Sequence, residues 1–208
     1  MISLVLKDLL NLQSYLKTIV VFVAFYTVLS FTMADVSFVA GMLIILFAMI
    51  PISSFSYDQQ AKWDVFGQTL PVTRKQIVLG KYIVALIFIV LGFALSFVIT
   101  FIATFFKNDT IDLMELFIGN GMIALTGLIL LAIMLPLIYK FGVEKSRIML
   151  MTIALVPTFG VIILANLGFT IPRDFNWQLV GYSVPALAAI GFVLSFTIST
   201  KIYCAKDF

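Results

Sequence analysis

The sequence predicts an all-α integral membrane protein with six transmembrane helices. An N-terminal amphipathic helix would lie in the interface, and a short cytoplasmic helix would join spans two and three. Three observations predict this. The 208 residues are 62% hydrophobic and 11% charged, whereas soluble domains run near half apolar and a quarter charged. Six stretches, 18–34, 36–56, 82–106, 116–139, 148–170 and 179–200, contain no Asp, Glu, Lys or Arg. Crossing the hydrocarbon core takes roughly 20 apolar residues, with the backbone satisfied inside the helix. Finally, eleven basic residues fall on the side that carries both ends of the chain, and only Lys107 and Arg173 on the other. That asymmetry places both termini in the cytoplasm. The balance excludes disorder, a nucleic-acid-binding module and a disulfide scaffold. The whole chain, 1–208, reads as one transmembrane domain.

Residues 1–17 place Ser3, Lys7, Asn11 and Ser14 at spacings of four, four and three, a polar stripe on one side of a helix. Leucines and valines cover the rest, which predicts an amphipathic helix leading into the first span. A cytoplasmic extension of that span is the alternative. No basic region followed by an apolar core marks a secretory signal. Asp35 alone separates spans one and two. Segment 168–185, punctuated by Gly168, Pro172, Gly181 and Pro185, reads as a small outer helix, a re-entrant turn or a plain loop.

The spans lack ionisable residues, and intramembrane charges usually mark ion paths or catalysis. Without histidine there is no HExxH zinc site, so no metal and no catalytic residue is expected. Cys204, the only cysteine, reads as an inert juxtamembrane thiol. Small and hydroxyl residues recur every fourth position in span three (Gly92, Ser96, Thr100, Thr104) and span six (Gly191, Ser195, Ser199). These fit close helix packing or a mildly polar conduit wall.

The loop 57–81 reads YDQQAKWDVFGQTLPVTRKQIVLGK. Asp58 to Phe66 predicts a short helix with Trp63 and Phe66 on one face, stopped by Gly67 and turned by Leu70-Pro71. Thr73 and Gln76 have capping-box spacing, which starts a new helix at Arg74. That helix would run into span three as a rod over 74–106, about 50 Å long, beyond the hydrocarbon thickness. An exposed aromatic pair on such a stalk suggests a docking knob; a helix lying flat in the headgroups is the other reading.

Residues FSYDQQAKWDVFGQTLPVTRKQIVLGKY (55–82) and PLIYKFGVEKSR (136–147) resemble two cytoplasmic loops of ABC-2-type exporter permeases. The likeness is to a compact six-helix subgroup that includes the phenol-soluble-modulin transporter permeases, and it covers essentially the whole chain. Gln59 departs from the acidic residue often found beside the aspartate. The resemblance implies the type V exporter fold and a bacterial cell membrane. It implies two copies of a separate ABC ATPase that bind ATP and Mg, and a second permease, either identical or a paralogue. Segment 57–70 would be the coupling helix, with Trp63 and Phe66 as anchors and Asp58, Lys62 and Asp64 as polar rim. Leu70, Arg74 and Lys75 would border it, and Glu144, Lys145 and Arg147 would form a second contact. The cargo implied is an amphipathic cytolytic or antimicrobial peptide. An antibiotic or lantibiotic exporter is the near alternative; an ATP-independent channel, scramblase or scaffold is the distant one.

Overall fold

A computed structural model describes residues 2–33, 36–67, 69–107, 112–166 and 177–206. Among these there is no strand. The helices are α1 (Ile2–Leu12), α2 (Leu16–Thr32), α3 (Val36–Gln60), α4 (Trp63–Gly67), α5 (Arg74–Phe106), α6 (Leu113–Phe141), α7 (Val143–Asn166) and α8 (Trp177–Cys204); a 3-10 turn, Gln13–Tyr15, joins α1 to α2. Among the described residues, α3, α5, α6 and the Ser183–Cys204 part of α8 are each long and apolar enough to cross a membrane. The pair α1–α2 adds a fifth only if counted as one span bent by 62°.

The bend sets α1 at an angle to α2. Ser3, Asn11 and Ser14 of the polar stripe are exposed. Leu4, Asp8 and Leu12, four apart, form the buried seam against α3 and α5. Ile2, Leu6 and Leu10 form an exposed apolar stripe. Such a seam pairs one face with protein and leaves another to lipid.

α5 is the central rod. Thr73 Oγ1 accepts from the Gln76 amide and Gln76 Oε1 accepts from the Thr73 amide, so the capping box satisfies two orphan donors and starts the helix at Arg74. α5 packs against α3, α6 and α8, and α6 lies along α8. Ile44, Val78, Tyr82, Leu131, Leu135 and Tyr203 fill the space between them. At the far end Asp112 Oδ1 accepts from the amides of Met114 and Glu115 and caps α6. Gly142, at φ +83°, ends α6. A side chain there would be strained, and its Cβ would also come within 3.0 Å of Gln59.

Two expectations change. Asp58 to Phe66 is not one helix: α3 continues to Gln60, breaks at Lys62 (φ +48°), and α4 begins at Trp63. Of segment 168–185, residues 168–176 lie outside the described residues, whereas Gly181 and Pro185 sit inside α8.

Candidate functional site

Three helices bring four charges together at the end of the bundle that holds the N-terminal helix. Asp8 comes from the buried seam of α1. Asp58 stands one turn beyond Ser54 on α3, and Lys81 one turn beyond Ile77 and Val78 on α5. Lys7 lies 2.8 Å from Asp58 and 3.1 Å from Asp8; Lys81 lies 2.5 Å from Asp58 and 2.9 Å from Asp8. Each carboxylate thus bridges both ammonium groups, closing a ring of alternating sign and zero net charge. Lys81 also donates to Ser54 Oγ at 2.6 Å.

Aromatic rings shield it. The Lys7 ammonium sits 3.9 Å from the Trp63 ring centroid and Lys81 4.8 Å from Phe55, both within cation–π range. Tyr139 stacks edge-on between Phe55 and Tyr203. The side chains of Asp8 and Lys81 are only 3% and 6% exposed. A buried pair of this kind adds little over an apolar substitute, but removing one partner strands a charge at about 3–5 kcal/mol. The ring therefore fixes how α1, α3 and α5 register against one another.

The short helix α4 hangs from this ring. Trp63, half-buried, packs between Lys7 and the core. The Tyr203 hydroxyl donates to Asp64 at 3.2 Å, so the end of α8 holds the next residue. Lys62, Val65 and Phe66 point outward, with Val65 and Phe66 more than half exposed. Arg74 donates through Nη1 to the carbonyls of Cys204 and Lys206 at 2.7 and 3.0 Å, which satisfies the last carbonyl of α8 and one in the segment that follows it.

Several assignments made from the sequence are corrected by this geometry. Asp58 is not rim; it is 8% exposed and belongs to the ring. Trp63 and Phe66 do pair, with ring centroids 5.4 Å apart, but Trp63 is half-buried between Lys7 and the core while Phe66 is exposed, and Asp64 and Arg74 tie α4 and α5 to α8. Leu70 is half-buried and Lys75 exposed. Glu144, Lys145 and Arg147 are exposed on the first turns of α7. Gln59 accepts from the Val143 amide at 3.4 Å, which brings that helix start beside the α3–α4 break. The uncharged residue at 59 thus contacts the α6–α7 joint.

Most of the hydroxyl-stripe residues make contacts between helices of the bundle. Ser195 and Ser199 bond the Tyr82 hydroxyl at 2.6 and 2.8 Å. Gly92 lies against Phe47, whose Cβ a methyl at 92 would meet at 2.8 Å. Ser96 donates to Asn120 Oδ1, and Asn120 Nδ2 donates to Thr100 Oγ1 at 3.2 Å. Thr104 lines a cavity at the far end, and Gly191 lines an apolar groove between α6 and α8.

Sequence reasoning missed Lys7, Asp8 and Lys81 as a group, and Asn120 altogether. One signal was legible: Ser54 and Asp58 are four apart, in register with the span before them. No group of three or more His, Cys, Asp or Glu able to hold a metal occurs among the described residues.

A family model described as ABC-2 family transporter protein matches residues 3–204. The chain belongs to that family and is a membrane permease of an ABC transporter, a component that works with an ATPase subunit. No curated protein and no solved structure matches it.

Proposed function

We propose that this chain is the permease subunit of an ATP-driven exporter and that α4 is its coupling helix. The observation that carries the reading is the exposed Val65–Phe66 edge on a helix of five residues, anchored behind by Trp63, Asp64 and the ionic ring. A lone helix so short has no stability of its own. Bracing it on three sides while presenting two apolar side chains suits a rigid anchor entering a partner's cleft. Lys62, Lys75, Glu144, Lys145 and Arg147 supply the charged surroundings. In this reading α2 and α7 complete six spans, both termini are cytoplasmic by the positive-inside bias, and the cell membrane is bacterial.

Force would travel by a short route. Closure of two ATPase subunits, each with ATP and Mg, displaces α4. The ring passes that displacement to α1, α3 and α5 together because none can shift without separating buried charges. α5, packed on α3, α6 and α8, carries it along the bundle. A second permease, the same chain or a paralogue, completes the conduit. The cargo proposed is an amphipathic cytolytic or antimicrobial peptide, whose apolar face suits Phe- and Met-rich helices.

Co-expression with candidate ATPases tests this. A stoichiometric ATPase should co-purify, and its nucleotide turnover should rise in the complex. Vesicles holding both should accumulate an amphipathic peptide only with ATP. A permease that purifies alone and moves solute without ATP would overturn the reading.

A further inference from the structure

Beside α4, where α3, α5, α6 and the end of α8 converge, lies a cavity of about 30 Å³. Phe55, Ile77 and Ile138 give it an apolar side, and Gln59, Asp64 and Tyr139 contribute polar groups. Tyr139 is buried. Its hydroxyl is the one buried side-chain polar atom without a hydrogen-bond partner among the described residues. A phenol in such a place is costly unless something supplies a partner, and phenylalanine would fill the same space without that cost.

The groups around the cavity define what the partner must be. Lys81 spends its three donors on Asp8, Asp58 and Ser54. Asp58 takes both lysines of the ring, and Gln59 Oε1 accepts from the Val143 amide. Asp64 accepts from the Tyr203 hydroxyl through one oxygen, whereas an ionised carboxylate has room for about four donors. The partner must therefore donate to Asp64 while it donates to or accepts from Tyr139. It should carry no charge, because the lining sets Asp58 and Asp64 against Lys81 and Lys206. It must also be small. A buried water needs roughly 10–15 Å³ of such space and two to four polar partners, and it meets all three conditions.

We propose that this cavity binds an ordered water that bridges the Tyr139 hydroxyl to the Asp64 carboxylate. The ring draws its charges from α1, α3 and α5, so the water adds α6 to the elements that hold α4. The site stands on its own geometry and does not depend on the exporter reading.

Tyr139→Phe removes the hydroxyl and little else. With the water bound, the unfolding constant of that variant in mixed micelles should rise about 5-fold, the worth of one buried hydrogen bond. An orphaned hydroxyl gives the opposite sign, since its removal relieves an unmet group. In an Asp64→Ala background the same substitution should change the constant by less than about 2-fold, because the bridge has lost its far end. X-ray radiolysis of the purified permease, read by mass spectrometry, reports the water itself, which generates hydroxyl radical where it sits. Tyr139 should be oxidised despite its burial, whereas Tyr82, equally buried but bonded to Ser195 and Ser199, should not. A Tyr139→Phe variant at least as stable as the parent, equal losses in both backgrounds, or no oxidation at Tyr139 would overturn the proposal. So would a stabilisation by sodium over N-methylglucamine, at constant ionic strength, that vanishes in Tyr139→Phe, because it would put a cation in the cavity.

Discussion

Removing one charge from the ring and then its partner should produce opposite effects on stability. Asp8 and Lys81 are 2.9 Å apart with side chains 3% and 6% exposed, so solvent screening offers little relief. Asp8→Asn keeps the shape of the side chain but leaves two ammonium groups facing one carboxylate. Lys81→Met keeps the length and leaves two carboxylates facing one ammonium. Each change should cost about 3–5 kcal/mol, the range for breaking a buried pair on one side. The double variant is neutral again, with Lys7 and Asp58 still paired at 2.8 Å. It should therefore recover at least about 2 kcal/mol of the summed loss, within the range of coupling between contacting residues. Ser54 Oγ loses its 2.6 Å donor in that variant, so recovery is incomplete. Equilibrium unfolding in mixed micelles, on all four corners of the cycle, reads the coupling. Additive losses within about 0.5 kcal/mol would show that the four charges do not act as a unit, and the proposed transmission from α4 to α5 would lose its basis.

Other expectations separate bracing from docking. Phe66→Ala should leave stability unchanged and weaken ATPase capture by about 2 kcal/mol, as loss of an interface anchor does; a quantitative pull-down checks it. Trp63→Ala should lower stability as well, because it uncovers Lys7, and unfolding measurements distinguish the two. Gly92→Ala should destabilise by about 1–3 kcal/mol through overpacking on Phe47. Gly191→Ala, with nothing within 4 Å, should be neutral or mildly stabilising, since alanine favours helix over glycine; paired unfolding curves decide. In the Cys204→Ser background, a cysteine at Asp109 should label from outside intact cells and one at Lys145 should not; the reverse pattern would invert the proposed orientation.

The α5 rod and its start were legible because they rest on local physics. A capping box needs only Thr73 and Gln76 at the right spacing, and a long apolar run specifies its own helix. The end of α3 was misplaced for a local reason too: the left-handed Lys62 carries no sequence mark that glycine or asparagine would have supplied. Lys7 was legible as part of a polar stripe but its neighbour Asp8 was not, since periodicity identifies a stripe without saying what packs beside it. Ser195 and Ser199 were legible as a stripe of small residues, but not their partner Tyr82, more than a hundred residues earlier, whose hydroxyl lies between them.

Composition and charge alone determined that this chain is helical and membrane-embedded. Those properties follow from the cost of exposing backbone and charge to hydrocarbon, which any arrangement of the helices must obey. Only the tertiary structure decided which charges are partners. Lys7, Asp8, Asp58 and Lys81 lie up to 74 positions apart in the chain, and no propensity or period links them. Their meeting depends on how α1, α3 and α5 pack, and once packed they neutralise one another where water cannot.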